Sequence, residues 1–204
     1  MRLGVFGGTF DPVHWGHLLL AECCREQANL DEVWFIPAST PPHKRQRRLT
    51  DARFRVEMLE LAVAGHPKFR VSKMEIERGG VSYTIDTLRA LRQDYPDAQL
   101  FLILGADSIE ELHTWRDAKE ICQVALPLVA RRPGHEIRAA PEFVEQIGGE
   151  RWQAILAAAV EMPLVEISSS DIRRRVSAGK SIRYRVPRSV EEYIYAHGLY
   201  KETS

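Results

Sequence analysis

Residues 2–17 read Arg2-Leu3-Gly4-Val5-Phe6-Gly7-Gly8-Thr9-Phe10-Asp11-Pro12-Val13-His14-Trp15-Gly16-His17, and this stretch decides the fold. Leu3 to Phe6 is a short apolar run suited to a strand, and Gly7, Gly8, Asp11 and Pro12 are turn residues. Leu18 to Ala28 then reads as a helix with Leu18, Leu19, Ala21 and Cys24 available for burial. Strand, glycine turn and helix in that order offer free N–H groups and the positive end of a helix dipole to an anion. The glycines also remove the Cβ atoms that would hold a phosphate away. His14 and His17, three apart, share one face of the first helical turn and project toward that anion. Between them Gly16 leaves clear a place where a side chain would crowd a flat ring against the helix start. The layout is that of a nucleotide site.

Outward from this stretch, apolar runs alternate with helical patterns. Val33 to Ile36, Phe69 to Met74, Leu100 to Leu104, Val124 to Val129 and Pro163 to Ile167 are candidate strands. Phe54 to Val63, Thr84 to Tyr95, Ser108 to Leu112 with Ala118 to Cys122, and Ala140 to Val160 are helical stretches. Ser168 to Ser170 can cap a helix over Asp171 to Ala178, and Val190 to His197 reads as a closing helix. The alternation predicts βαβ crossovers, a parallel sheet and ligands at the carboxyl ends of its strands. No linker, repeat or low-complexity tract divides residues 1–204, so a single domain is expected, with the helical part from about residue 168 packed on it.

A chain of 204 residues with 45% hydrophobic content can bury a substantial core without cross-links. Its 28 Lys and Arg balance 28 Asp and Glu, which excludes a global pull toward nucleic acid or membrane. Any attraction for anions is therefore local. The loop from Pro37 to Thr50, with Lys44, Arg45, Arg47 and Arg48, is such a cluster, but it lacks the interleaved aromatics of a nucleic-acid platform. Cys23, Cys24 and Cys122 have no metal-ligand spacing, and neither a signal peptide nor a long apolar run accompanies them. Reduced packing thiols in a cytoplasmic protein are expected.

A glycine turn opening a helix also begins dehydrogenases, but their fingerprint is G-x-G-x-x-G with an acidic residue about twenty positions on. Here the glycines stand as Gly4-x-x-Gly7-Gly8 and two histidines occupy the helix start, so Asp31 and Glu32 carry little weight. No Gly-Lys-Ser/Thr follows the glycines either, which excludes a Walker loop.

Gly8-Thr9-Phe10-Asp11-Pro12 followed by His14-x-Gly16-His17 resembles the signature of the nucleotidylyltransferase superfamily. Four further segments, in order, are similar to those of bacterial nicotinate-nucleotide adenylyltransferases: Pro41-Pro42-His43-Lys44, Ser82 to Leu88, Gly105-Ala106-Asp107 with Leu112 and Trp115, and Ile167 to Ser170 with Ile172-Arg173. Ile182-Arg183-Tyr184 to Leu199-Tyr200 resembles that family's tail, and Ser170 stands where the family often has Thr. The resemblance implies a Rossmann-like, doubly wound α/β fold with helices on both faces and a short C-terminal helical extension. It also implies a reaction: ATP and nicotinate mononucleotide give nicotinate adenine dinucleotide and pyrophosphate. Mg2+ would travel on the triphosphate with no protein metal ligands, the partners would be the two small substrates, and a homo-oligomer stays open.

By the same resemblance, amides around Gly8, Thr9 and Phe10 hold phosphate oxygens, Gly16 keeps the helix start clear, and His14, His17 and Lys44 act on the triphosphate. Gly105 and Asp107 would receive the adenosine, Asp107 accepting from ribose hydroxyls, while Ser168, Ser169, Arg173 and Arg132 would contact adenine or phosphate. Trp115 would stack on the pyridine ring, and Tyr83, Thr84 and the Arg116 backbone would read its carboxylate. Plain structural duties stand beside these roles: a helix cap for Asp107 and Ser168, a core position for Trp115, a solvated arginine at 173 and a solvated basic loop. Two other functions stay open, the same chemistry on nicotinamide mononucleotide or phosphopantetheine, and a module that binds ATP without turnover.

Overall fold

A computed structural model describes residues 1–42, 49–131 and 136–201. The chain runs β1 (Arg2–Gly8), α1 (Trp15–Gln27), β2 (Glu32–Pro37), α2 (Ala52–Val63), β3 (Phe69–Val71), α3 (Met74–Arg78) and α4 (Thr84–Asp94). It continues β4 (Gln99–Leu104), α5 (Ala106–Glu111), a 3-10 turn (Leu112–Thr114), α6 (Ala118–Val124), β5 (Ala125–Arg131), α7 (Pro141–Ile147) and α8 (Gly149–Ala157). β6 (Val160–Glu161), α9 (Ser169–Ser177) and α10 (Arg188–Ala196) complete it. All strand pairs are parallel and the order is β3-β2-β1-β4-β5-β6, the doubly wound arrangement.

Successive side chains of a strand point to opposite faces, and β4 shows the consequence. Phe101 and Ile103 join the core built with α1, α2, α9 and α10, whereas Leu100, Leu102 and Leu104 join the one built with α4 to α8. A sheet covered on both faces needs apolar residues at every strand position, which is why β4 reads as the continuous run Leu-Phe-Leu-Ile-Leu. The order reverses between β1 and β4, whose first helices leave on opposite faces and so open a crevice at the strands' carboxyl ends.

Three expected elements differ. The stretch Ala140 to Val160 is two helices, broken at Gly148, whose φ of 88° no helix residue adopts, and it ends in the edge strand β6. Pro163 to Ile167 is not a strand: Pro163 has no N–H to donate to a ladder, and the chain leaves β5 after Glu161. Phe69 to Met74 pairs only as far as Val71 before turning into α3.

Candidate active site

The turn after β1 brings six of the expected residues together. Phe10 takes a left-handed backbone, φ 46°, held in place because its ring is buried edge-on against Phe6 at 5.4 Å and His17 at 5.0 Å. A Cβ on Gly8 would meet three atoms of that ring at 3.0–3.3 Å, so glycine is needed for the loop to close over the phenyl group. His14 is the N-cap of α1, and its backbone carbonyl accepts from the N–H groups of His17 and Leu18.

The His14 N–H donates to Nδ1 of His17 at 3.3 Å, so a neutral His17 carries its proton on Nε2 and is a donor there. The two imidazoles stack with centroids 3.7 Å apart. His14 is 6% exposed, and burial lowers its pKa from 6.5 to about 4. At neutral pH it is an uncharged ring able to donate one hydrogen bond.

That shift has a stability consequence. As pH falls, an unfolded His14 takes up its proton near 6.5 and the folded ring only near 4, so the unfolded state binds protons first and stability is lost between those values. Urea unfolding of the wild type should lose about 3 kcal/mol more than His14→Gln between neutral pH and the lower value. Equal losses in both proteins would show that the buried imidazole does not govern this interval.

Buried charge braces the loop from behind. Asp11, 2% exposed, accepts from the Tyr200 hydroxyl at 2.8 Å and from the Thr50 N–H at 3.4 Å. Arg55, buried on α2, donates to the carbonyls of Thr9 and Thr50, both at 2.9 Å; burial pushes its guanidinium below the usual value while the Asp11 charge opposes that. From α9, Arg173 donates to the Asp11 carbonyl and to Ser170 Oγ, and Ser169 Oγ donates to the Pro12 carbonyl at 2.9 Å. Ser168 caps α9, its Oγ accepting from the Asp171 N–H at 3.1 Å. Ser169 and Arg173 thus contact the loop itself, and Ser168 fixes the helix that carries them.

The crevice beside this loop has a volume of about 620 Å³, within the usual range for small-molecule sites. Gly7, Gly8 and Thr9 line one side; Tyr83, Thr84, Trp115 and Arg116 line the other. Tyr83 is the N-cap of α4, so the N–H of Thr84, which has no partner within the helix, belongs to a helix start facing the crevice. Trp115 is partly buried against the apolar core under α4 to α8, and the Arg116 guanidinium lies 4.8 Å over the Tyr83 ring while pairing with Asp86 at 3.5 Å. Gly105 is the N-cap of α5, with open space where a Cβ would stand, and Asp107 is exposed in that helix's first turn. Lys44 and Arg132 lie outside the described residues.

Sequence reasoning missed Arg55, Tyr200 and Glu75. Arg55 stands four residues before Leu59 on the buried stripe of α2, a signal that it is not a solvated cation. Glu75 is buried on the crevice wall, where burial raises its pKa; it accepts from the Thr87 hydroxyl at 2.5 Å, and Thr87 accepts from Arg78. Its signal was hidden because α3 is only five residues long. Cys24 and Cys122 are buried free thiols that burial raises to about 12 and about 11, too high for chemistry near neutral pH. Among the described residues no helix is long and apolar enough to cross a membrane.

A parallel sheet in this order, a glycine loop feeding a paired-imidazole helix start, and a crevice at the strand-order reversal define a nucleotidyl-transferring class. The chain belongs to it: the family model "Cytidylyltransferase-like" matches residues 5–175. A relative from Thermomicrobium roseum named "Probable nicotinate-nucleotide adenylyltransferase" is 47% identical over 200 residues, 98% of this chain and 92% of its own. One of the same name from Salinibacter ruber is 45% identical over 204 residues, 100% of both chains. Within the class, the chain therefore belongs to the nicotinate-nucleotide adenylyltransferase family. The solved Plasmodium falciparum nicotinic acid mononucleotide adenylyltransferase complexed with NaAD has the same fold, with a TM-score of 0.77 at 18% identity over 98% of this chain and 97% of that one.

Proposed function

We propose that this protein transfers the adenylyl group of ATP to nicotinate mononucleotide, forming nicotinate adenine dinucleotide and pyrophosphate. The observation that carries the reading is the single crevice joining the glycine loop to the α4 start and Trp115. A phosphate oxygen of the acceptor, already an anion, attacks the α-phosphorus of ATP, and the bond to the pyrophosphate leaving group breaks. No protein nucleophile is needed, so catalysis is alignment together with stabilisation of charge on the triphosphate.

In this reading the amides of Gly8, Thr9 and Phe10 hold phosphate oxygens, and His14 and His17 donate to the triphosphate, with Lys44 and Arg132 added from the sequence resemblance. Gly105 and Asp107 receive the adenosine. Loop amides and imidazoles fit phosphate oxygens better than a hard cation, and the Asp11 carboxylate is already engaged by Tyr200 and Thr50. Magnesium would accordingly arrive on the triphosphate and share its charge. Thr84 and Arg116 backbone donors favour an acid over an amide on the pyridine ring.

A pyrophosphate-release assay with ATP, magnesium and each acceptor in turn tests this. Fast release is expected with nicotinate mononucleotide, slower release with the amide and little with phosphopantetheine. Nucleotide binding without release from any acceptor would reduce the protein to a binding module.

Gly16→Ala separates stability from catalysis. Its Cβ would stand 3.1 Å from Cε1 and Nδ1 of His14, whose ring already stacks on His17. Alanine favours the helix by up to about 1 kcal/mol over glycine, yet displacing the ring should lower kcat about 10-fold. A Tm that holds or rises while kcat falls is the expected pair; an unchanged kcat would mean the ring position is immaterial.

A further inference from the structure

Tyr200 lies in the turn after α10, far along the chain from the phosphate loop, yet its hydroxyl is buried against Asp11. Its backbone is left-handed, φ 63°, a conformation a bulky residue adopts only where its surroundings impose it. Burial and the Asp11 charge push its phenol far above the usual value, so it stays a protonated donor at any working pH. The acceptor of that bond, Asp11, sits between the carbonyls of Thr9 and Pro12, which Arg55 and Ser169 hold. Thr50 completes the cluster: its N–H donates to Asp11 and its carbonyl accepts from Arg55. Three separate parts of the chain thereby meet at one carboxylate.

We propose that Tyr200 is a positioning residue for the nucleotide: its hydroxyl orients the Asp11 carboxylate and so sets the phosphate-binding geometry of residues 8–14 without touching the ligand. Among the described residues the carboxylate's other contacts are longer. The Thr50 N–H is long at 3.4 Å and the Arg173 guanidinium stands 4.0 Å away, so the 2.8 Å phenol bond is the shortest of these contacts. Without it the Asp11 side chain can turn, and the Thr9–Pro12 backbone loses a fixed point. Aromatic packing of the ring would remain in Tyr200→Phe, which separates this role from simple filling of space.

This inference rests on the proposed nucleotide site, and the test distinguishes the two. Calorimetry with a non-hydrolysable ATP analogue should give about 10-fold weaker binding for Tyr200→Phe than for wild type, the scale of one lost hydrogen bond to a charged acceptor. In activity assays KM for ATP should rise while KM for nicotinate mononucleotide stays put. In an Asp11→Ala background, which has no side-chain acceptor, the same Tyr200→Phe change should have little further effect on analogue binding. Unaltered analogue affinity in Tyr200→Phe, with or without a lower Tm, overturns the proposal by leaving only a structural role, as does an undiminished effect in the Asp11→Ala background. A wild type that binds the analogue but releases no pyrophosphate sinks the proposed reaction and leaves the role of Tyr200 standing. A wild type that does not bind the analogue overturns both.

Discussion

Replacing His14 by alanine is expected to lower kcat by about 100- to 1000-fold, with a much smaller change in KM for ATP. Removing one preorganised donor to developing negative charge typically has this effect, because water cannot take the same place in a desolvated site. His14 has the required setting: a buried, neutral ring at the start of α1, stacked on a second imidazole. The fold should survive, since the residue caps α1 through its backbone, which alanine retains. Steady-state kinetics beside thermal unfolding decide the matter. A folded His14→Ala enzyme with near-normal kcat would remove the imidazole from the chemistry.

Trp115→Ala should act on the other substrate. The pyridinium of the acceptor is a cation, and a tryptophan face in a partly desolvated crevice is worth ~2 kcal/mol to it. The expected result is a KM for nicotinate mononucleotide raised about 30-fold, with KM for ATP little changed. Because the amide mononucleotide carries the same charged ring, its KM should rise by a similar factor, leaving the preference for the acid intact. A mutant that lost that preference without losing affinity would move Trp115 from stacking to carboxylate recognition. Its partial packing against the core predicts a modest fall in Tm as well.

The sequence is legible where local chemistry and tertiary structure agree. The β1–α1 turn is one such place: glycines, a cap position and an apolar strand each require the same backbone. β4 is another, since five apolar residues in succession suit a strand covered on both faces. Legibility fails where a single residue overrides a run. Gly148 cuts an apparent helix in two, and Pro163 denies a strand to a stretch that is otherwise apolar enough for one. α3, at five residues, is too short for a periodic pattern.

At the site, the residues that form motifs were readable, while those that hold the motif from a distance were not. The resemblance gives Ser168, Ser169 and Arg173 ligand contacts, and the structure ties Ser169 and Arg173 to Asp11, Pro12 and Ser170. Arg55 and Tyr200 converge on the same loop from 46 and 189 residues away, and no spacing rule links positions so far apart. Only the folded chain makes them neighbours.

The two outermost strands deserve a last consequence. β3 has three residues and β6 two, the latter with Pro163 close behind. Among the described residues, each end strand itself offers only two or three peptide groups to a stray chain. Crowded molecules of this protein therefore gain little by joining end strand to end strand.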